Sequence, residues 1–207
     1  VIPVPSALGG PNDDQIEPRT NVCLWCHAPV GQSPLPAASS AALWAGRVRV
    51  PSAQAASAPW ELVRGTSDHR HVPGGCIGCH GLRDDPTGRA TDHSFTVKRA
   101  ACAACHASKR PEELPDAALG RLREWALALE RRLRAACGFG ITSTLGPSHA
   151  TEPTKVCWSP ALARALYEVR LVLEDKAAFV HNAAFARSLL GDAETLLNDQ
   201  PPPSAPR

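Results

Sequence analysis

Six of the eight cysteines stand in pairs separated by two residues, and each pair is followed at once by a histidine. The three segments are Cys23-Leu24-Trp25-Cys26-His27, Cys76-Ile77-Gly78-Cys79-His80 and Cys102-Ala103-Ala104-Cys105-His106. This C-x-x-C-H spacing is that of c-type haem attachment. Two thiols so placed can add across the two vinyl groups of one porphyrin, and the adjacent imidazole then comes under the iron as its proximal ligand. Three repeats predict three covalently held haems, anchored by Cys23, Cys26, Cys76, Cys79, Cys102 and Cys105, with His27, His80 and His106 as proximal ligands. Other uses of these residues fit less well. A thioredoxin-like redox pair would occur once, in a βαβ setting, and has no need of the trailing histidine. A zinc centre built from two C-x-x-C pairs leaves the third pair and the histidines unexplained.

Each iron would have one axial position left. Methionine cannot fill it, because the chain has none. A His/Met iron of raised potential is therefore excluded. Five histidines remain for three positions: His69, His71, His93, His149 and His181. An isolated histidine is ordinarily an exposed or hydrogen-bonded residue, but three irons in search of ligands make distal ligation the expected use of most of the five. His149, in the turn-like Gly146-Pro147-Ser148-His149, reads equally well as an exposed loop residue or as a ligand offered to a partner subunit.

The local sequence around three of these histidines resembles that of multihaem c-type cytochromes. His93-Ser94-Phe95, nine residues before Cys102, is similar to the His-x-Phe unit that precedes a C-x-x-C-H in that family. Val180-His181-Asn182 resembles its His-Asn element, although Phe179 and Ala183 stand where glycine and proline are usual. A histidine upstream of a Gly-Cys-x-x-Cys-His is also typical, and Asp68-His69-Arg70-His71 offers two before Gly75-Cys76. The resemblance spans roughly residues 21–27 and 66–190. It implies His93, His181 and one of His71 and His69 as distal ligands, with His71 slightly preferred. His149 is a further candidate.

Cys137 and Cys157 belong to no haem motif. In an oxidising compartment they can form a disulfide closing a loop of about 20 residues, worth roughly 3 kcal/mol on a loop-entropy model; the alternative is two buried thiols acting as small apolar groups. The start, Val1-Ile2-Pro3-Val4, reads as a mature N-terminus after removal of a signal. Together with haem attachment, this gives an expected location in the periplasm or at the surface of a bacterium. The net charge of +2 gives no reason to propose nucleic acid as a partner, and no apolar run is long enough for a membrane span. With two ionised propionates per haem, the loaded chain would carry about −1 when oxidised and about −4 when reduced.

The elements that must position these groups read as a mainly α fold with much irregular coil. A single trihaem domain is expected over residues 1–200, divided into N-terminal coil (1–20), a haem-binding region (21–110) and a helical region (111–200). A Pro-rich tail follows at 201–207. Residues 66–107 read as loops with short helical turns, and Leu43 to Val50 as a short strand or edge segment. Asp116 starts a helix that Gly138 stops, with Leu119, Leu122, Ala126, Leu129, Leu133 and Ala136 on one stripe. Ser159-Pro160 starts a second, with Leu162, Leu166, Val169 and Leu173 inward. A third begins near Asn182, with Phe185, Leu189, Ala193 and Leu196 inward and His181 just before its first turn. Only 5% of residues are aromatic, so porphyrin would supply the flat apolar mass of the core.

The expected function is electron transfer by bis-histidine, low-spin irons, with no catalytic residues. The expected partners are other redox proteins, namely cytochromes or a membrane oxidoreductase. One alternative is a subunit of a cytochrome filament or of a larger redox complex. Another is a multihaem reductase of a small nitrogen or sulfur compound, which would need one iron with an open position.

Overall fold

The computed structural model describes residues 23, 39–53, 60–65, 67, 69–72, 74–80, 97, 102, 106, 116–137 and 159–200. These residues form a mainly α fold with one small hairpin. In chain order the elements are helix α1 (Ser39–Ala45), strands β1 (Arg47–Pro51) and β2 (Trp60–Arg64), a 3-10 turn (His69–His71), and helices α2 (Gly75–His80), α3 (Asp116–Ala136), α4 (Pro160–Glu174) and α5 (Ala178–Asn198). The expected N-terminal coil and Pro-rich tail lie outside the described residues.

The three long helices pack on one another and follow the apolar stripes of the sequence. On α3, Leu122, Ala126, Leu129 and Leu133 are buried at steps of four, three and four. The α4 helix buries Leu162, Leu166 and Val169 as expected, but also Ala163, Ala165, Tyr167, Leu171 and Val172. It is the central helix, covered by α3, α5, α1 and the hairpin, so it has little solvent face to keep polar. Ser159 precedes it with extended backbone and Pro160 at its first position. The Ser159 hydroxyl bonds Gln200 at 2.8 Å instead of capping the helix, tying the start of α4 to the end of α5. The last helix, α5, turns Phe185, Leu189 and Ala193 inward.

The expected strand over 43–50 divides in two. Leu43, Trp44 and Ala45 belong to α1, and only Arg47 onward is extended. The run Ala41–Ala45 is buried on all sides and shows no alternation to hold it in a half-exposed sheet. Gly46, at φ +67°, makes the turn, with its N–H on the Leu43 carbonyl at 3.0 Å. The strands pair antiparallel, Val48 opposite Val63 and Arg47 opposite Arg64. Gly65 N–H then bonds the Gly46 carbonyl at 2.7 Å. A side chain at Gly65 would come within 2.3 Å of the Phe185 ring, so this glycine lets the hairpin close against α5.

One charged cluster lies within the packed layers. Arg164 of α4 bonds Glu168 at 2.9 Å, Asp192 of α5 at 2.6 Å and Glu61 of β2 at 2.6 Å. Glu168 is fully buried, and its Oε2 has no hydrogen-bond partner. Burial, then the nearby Asp192, pushes its carboxyl up to about 8 against the opposing pull of Arg164. The folded chain therefore holds a proton that the unfolded chain releases from about pH 4.5 upward. The resulting stabilisation is complete below that pH and is lost as pH rises through about 8. Glu168→Gln removes this dependence. Its melting temperature is expected to fall less than that of the unsubstituted protein between pH 5 and about 8.5, followed by circular dichroism; parallel profiles would contradict the assignment.

Candidate functional site

Two of the three C-x-x-C-H segments contain described residues beyond their first cysteine, and both use a helical turn. Cys76, Cys79 and His80 lie on α2, and Gly78 N–H bonds the Gly74 carbonyl at 3.2 Å. In the third segment, His106 N–H bonds the Cys102 carbonyl at 2.8 Å, again one helical turn. Residues three and four apart share a helix face, so the α2 turn sets the Cys76 and Cys79 thiols and the His80 imidazole on one side. Gly74 and Gly75, at φ +81° and +55°, lead the chain into α2. Neither Cys23, Cys76, Cys79 nor Cys102 is in a disulfide. Cys26, His27, Cys105, His93, His149 and Cys157 lie outside the described residues. Cys137 is disulfide-bonded, to a partner also outside them.

The described histidines fall into two facing pairs and one remainder. The His80 and His181 rings have centroids 6.2 Å apart, tilted by 42°. The His69 and His106 rings are also 6.2 Å apart, at 73°. Each pair joins a histidine of a C-x-x-C-H segment to one from elsewhere. Two imidazoles bound through one nitrogen each to opposite sides of a single metal ion, at about 2.0–2.1 Å, place their ring centres roughly 6 to 6.5 Å apart. No group of three or more His, Cys, Asp or Glu among the described residues could hold a bare ion. A haem iron asks the protein for only two ligands, and two is what each pair offers.

Hydrogen bonds fix which nitrogen each non-motif histidine has left. His181 Nδ1 bonds Asp175 Oδ2 at 2.7 Å. His69 Nδ1 bonds the carbonyl oxygen of Val180. With Nδ1–H used in this way, the Nε2 lone pair of each ring is left as the donor to a metal. The sequence prefers His71 to His69, but the structure sets His69 opposite a motif histidine. His71 is exposed, and its Nε2 accepts from Arg70 at 3.1 Å. The two alternate around a tight 3-10 turn, so only one faces inward. Trp44 Nε1 holds that turn by donating to the His69 carbonyl at 3.2 Å.

Comparison with family models, curated proteins and solved structures finds no match.

The His-Asn element has a mechanical explanation. Asn182 interrupts α5 with extended backbone (φ −167°, ψ 86°). Its side-chain oxygen accepts the Phe185 N–H at 3.0 Å, the bond of an N-cap to the third residue of a helix. The long part of α5 thus starts afresh after Asn182. His181 and the Val180 carbonyl sit on the short turn before the break, each directed to a different histidine site. Asp175, at the junction of α4 and α5, carries no signal in the sequence. It precedes His181 by six residues, a spacing with no periodic signature, and only the turn between the helices brings them together.

The surroundings of the two pairs differ in charge. Asp175 is buried, with Oδ1 accepting Ser40 Oγ at 3.0 Å and Ala177 N–H at 3.1 Å. On the other side, Arg70 follows His69 in the same turn. Burial lowers the pKa of Arg47, and the charges of Arg64 and Arg70 lower it further, so positive groups gather there. Removing the cap tests the mechanical account. Asn182→Ala is expected to cost about 1 kcal/mol, within the usual range for a lost N-cap, in urea denaturation; a cost near zero would show that the break is held by packing alone.

Proposed function

We propose that the chain is a trihaem c-type cytochrome that carries electrons between redox partners outside the cytoplasm. The observation that supports this most is the pair of facing histidine couples, His80 with His181 and His106 with His69. In each, a C-x-x-C-H histidine meets a second imidazole at the separation a shared axial metal requires. The motif cysteines on the same helical turns would hold the porphyrin by thioethers. When bound, the haems supply one-electron exchange between ferric and ferrous iron.

The chain's own residues have three tasks in this reading. The α2 turn presents Cys76, Cys79 and His80 together. The turn before the Asn182 break presents His181. The Trp44-held turn at 69–71 presents His69. Asp175 and the Val180 carbonyl hold the two distal rings in one orientation and one tautomer, so that little moves when an electron arrives. Two imidazole ligands and no methionine would favour low potentials for haems held here. An enzyme would need an iron with an open position; at the two described couples both axial positions would be taken by imidazole, which supports electron carriage there. Among the described residues no helix is long and apolar enough to cross a membrane. The identity of the redox partners belongs to the proposal, as does pairing of Cys137 with Cys157.

The pyridine haemochrome assay on the mature protein is expected to give three haems per chain, and two or fewer would overturn the reading. Low-temperature EPR of the oxidised protein should show low-spin ferric signals only. His69→Ala and His181→Ala should each convert one iron to high spin, whereas His71→Ala should leave the spectrum unchanged. High spin in His71→Ala with an unchanged His69→Ala would reverse the ligand assignment.

A further inference from the structure

We infer that the two histidine couples are built to hold different potentials, with Asp175 as the positioning residue that keeps the His80/His181 iron the more oxidised of the two. This rests on the haem reading above and goes on to the order in which the sites fill.

The distal rings are backed by unlike groups. His181 Nδ1 donates to a carboxylate, whereas His69 Nδ1 donates to a neutral peptide carbonyl. A carboxylate acceptor raises the electron density of the imidazole and adds a negative charge beside it, which stabilises ferric over ferrous iron; a carbonyl does so much less. The Asp175 side chain is 1% exposed, so solvent does little to screen it. It is also held in place from two parts of the chain. Ser40 of α1 and the Ala177 N–H fix Oδ1, and the Ala178 N–H bonds the Asp175 backbone carbonyl at 3.0 Å. Only Oδ2 is left to face His181. At the other couple, the arginines work in the opposite sense. Arg70 adjoins His69 and lies within electrostatic reach of the buried Arg47, which Arg64 faces across the hairpin. Positive charge there favours the ferrous state.

The consequence is a direction. One electron taken from an external redox protein reduces one iron. Between these two irons, the electron would reside at equilibrium on the His69/His106 one, while the His80/His181 iron would stay ferric until a lower potential is reached. The sites adjoin through one peptide, since the Val180 carbonyl serves His69 and the next residue, His181, faces His80.

The test is an EPR-monitored redox titration of the three-haem protein. The different ring tilts, 42° and 73°, give the two ferric sites separable signals. In Asp175→Asn, the ferric/ferrous ratio of one iron at fixed potential is expected to fall about tenfold, a shift of about 59 mV for one electron. The other two should change by less than about threefold, and Asp175→Glu should restore most of the difference. Three haems retained with all ratios unchanged, or a rise in place of the fall, overturns this inference alone. Absence of haem from the unsubstituted protein overturns the reading beneath it. Should Asp175→Asn lose His181 ligation and turn high-spin, Ser40→Ala decides. Removing that hydrogen bond leaves more charge on Asp175 and should shift the same iron in the opposite sense, toward ferric; no shift, or a shift toward ferrous, overturns the inference.

Discussion

The interruption of α5 at Asn182 is the constraint on which the site depends. A helix running without a break from residue 178 would carry residues 180 and 181 around its axis at 100° per residue, with their carbonyls along it. Extended backbone at Asn182 instead separates a single turn from the long helix that follows. That turn sends the His181 ring to His80 and Asp175, and the Val180 carbonyl to His69. Asn182 closes the new helix with its own side chain and is buried beside Gly46. The glycine crossing of the hairpin, the cap and both histidine couples therefore converge on a few residues.

The rest of the fold makes that junction stiff. α4 is buried almost all round and runs into Asp175, whose backbone and side chain start the turn that ends at His181. Arg164 ties α4 to α5 and to β2, and the Ser159–Gln200 bond ties the far ends. On the proposed reading, a distal ligand held this firmly would keep one geometry in both oxidation states. Electron carriage profits from this because little has to rearrange at the iron.

The helices were legible in the sequence because their signals are local. Leu122, Ala126, Leu129 and Leu133 repeat at helical steps, and Ser159-Pro160 is a start that needs no tertiary context. The local shape of the second C-x-x-C-H segment was legible for the same reason, since Cys76, Cys79 and His80 fit within one helical turn. The choice between His69 and His71 was not. Both precede the same Gly-Cys, and which ring turns inward depends on Trp44 and Val180, far along the chain. Leu43 to Ala45 misled as strand because a short buried apolar run has no period to separate helix from sheet. Asp175 carried no signal, because its pairing with His181 exists only once the α4–α5 turn has formed.

The distance between partners in sequence says what kind of folding the proposed ligation implies. His106 reaches back to residue 69, and His80 forward to residue 181. Closing chain segments of that length costs conformational entropy that one metal–nitrogen bond need not offset alone. The helical layer brings the non-motif side of each couple into place by burying apolar faces: α1 carries Trp44, α5 carries His181, and the turn between α4 and α5 carries Asp175. The motif turns are short and have few buried apolar side chains of their own; among the residues of α2 only Gly75 is buried. On the proposed reading, thioether and axial bonds would fasten these turns to the helical layer. The scarcity of aromatic side chains then has a physical sense, because the motif segments need not build a protein core of their own. Haem attachment and the docking of the motif turns would be one event, linked as metal binding and folding are linked in small metal-centred domains.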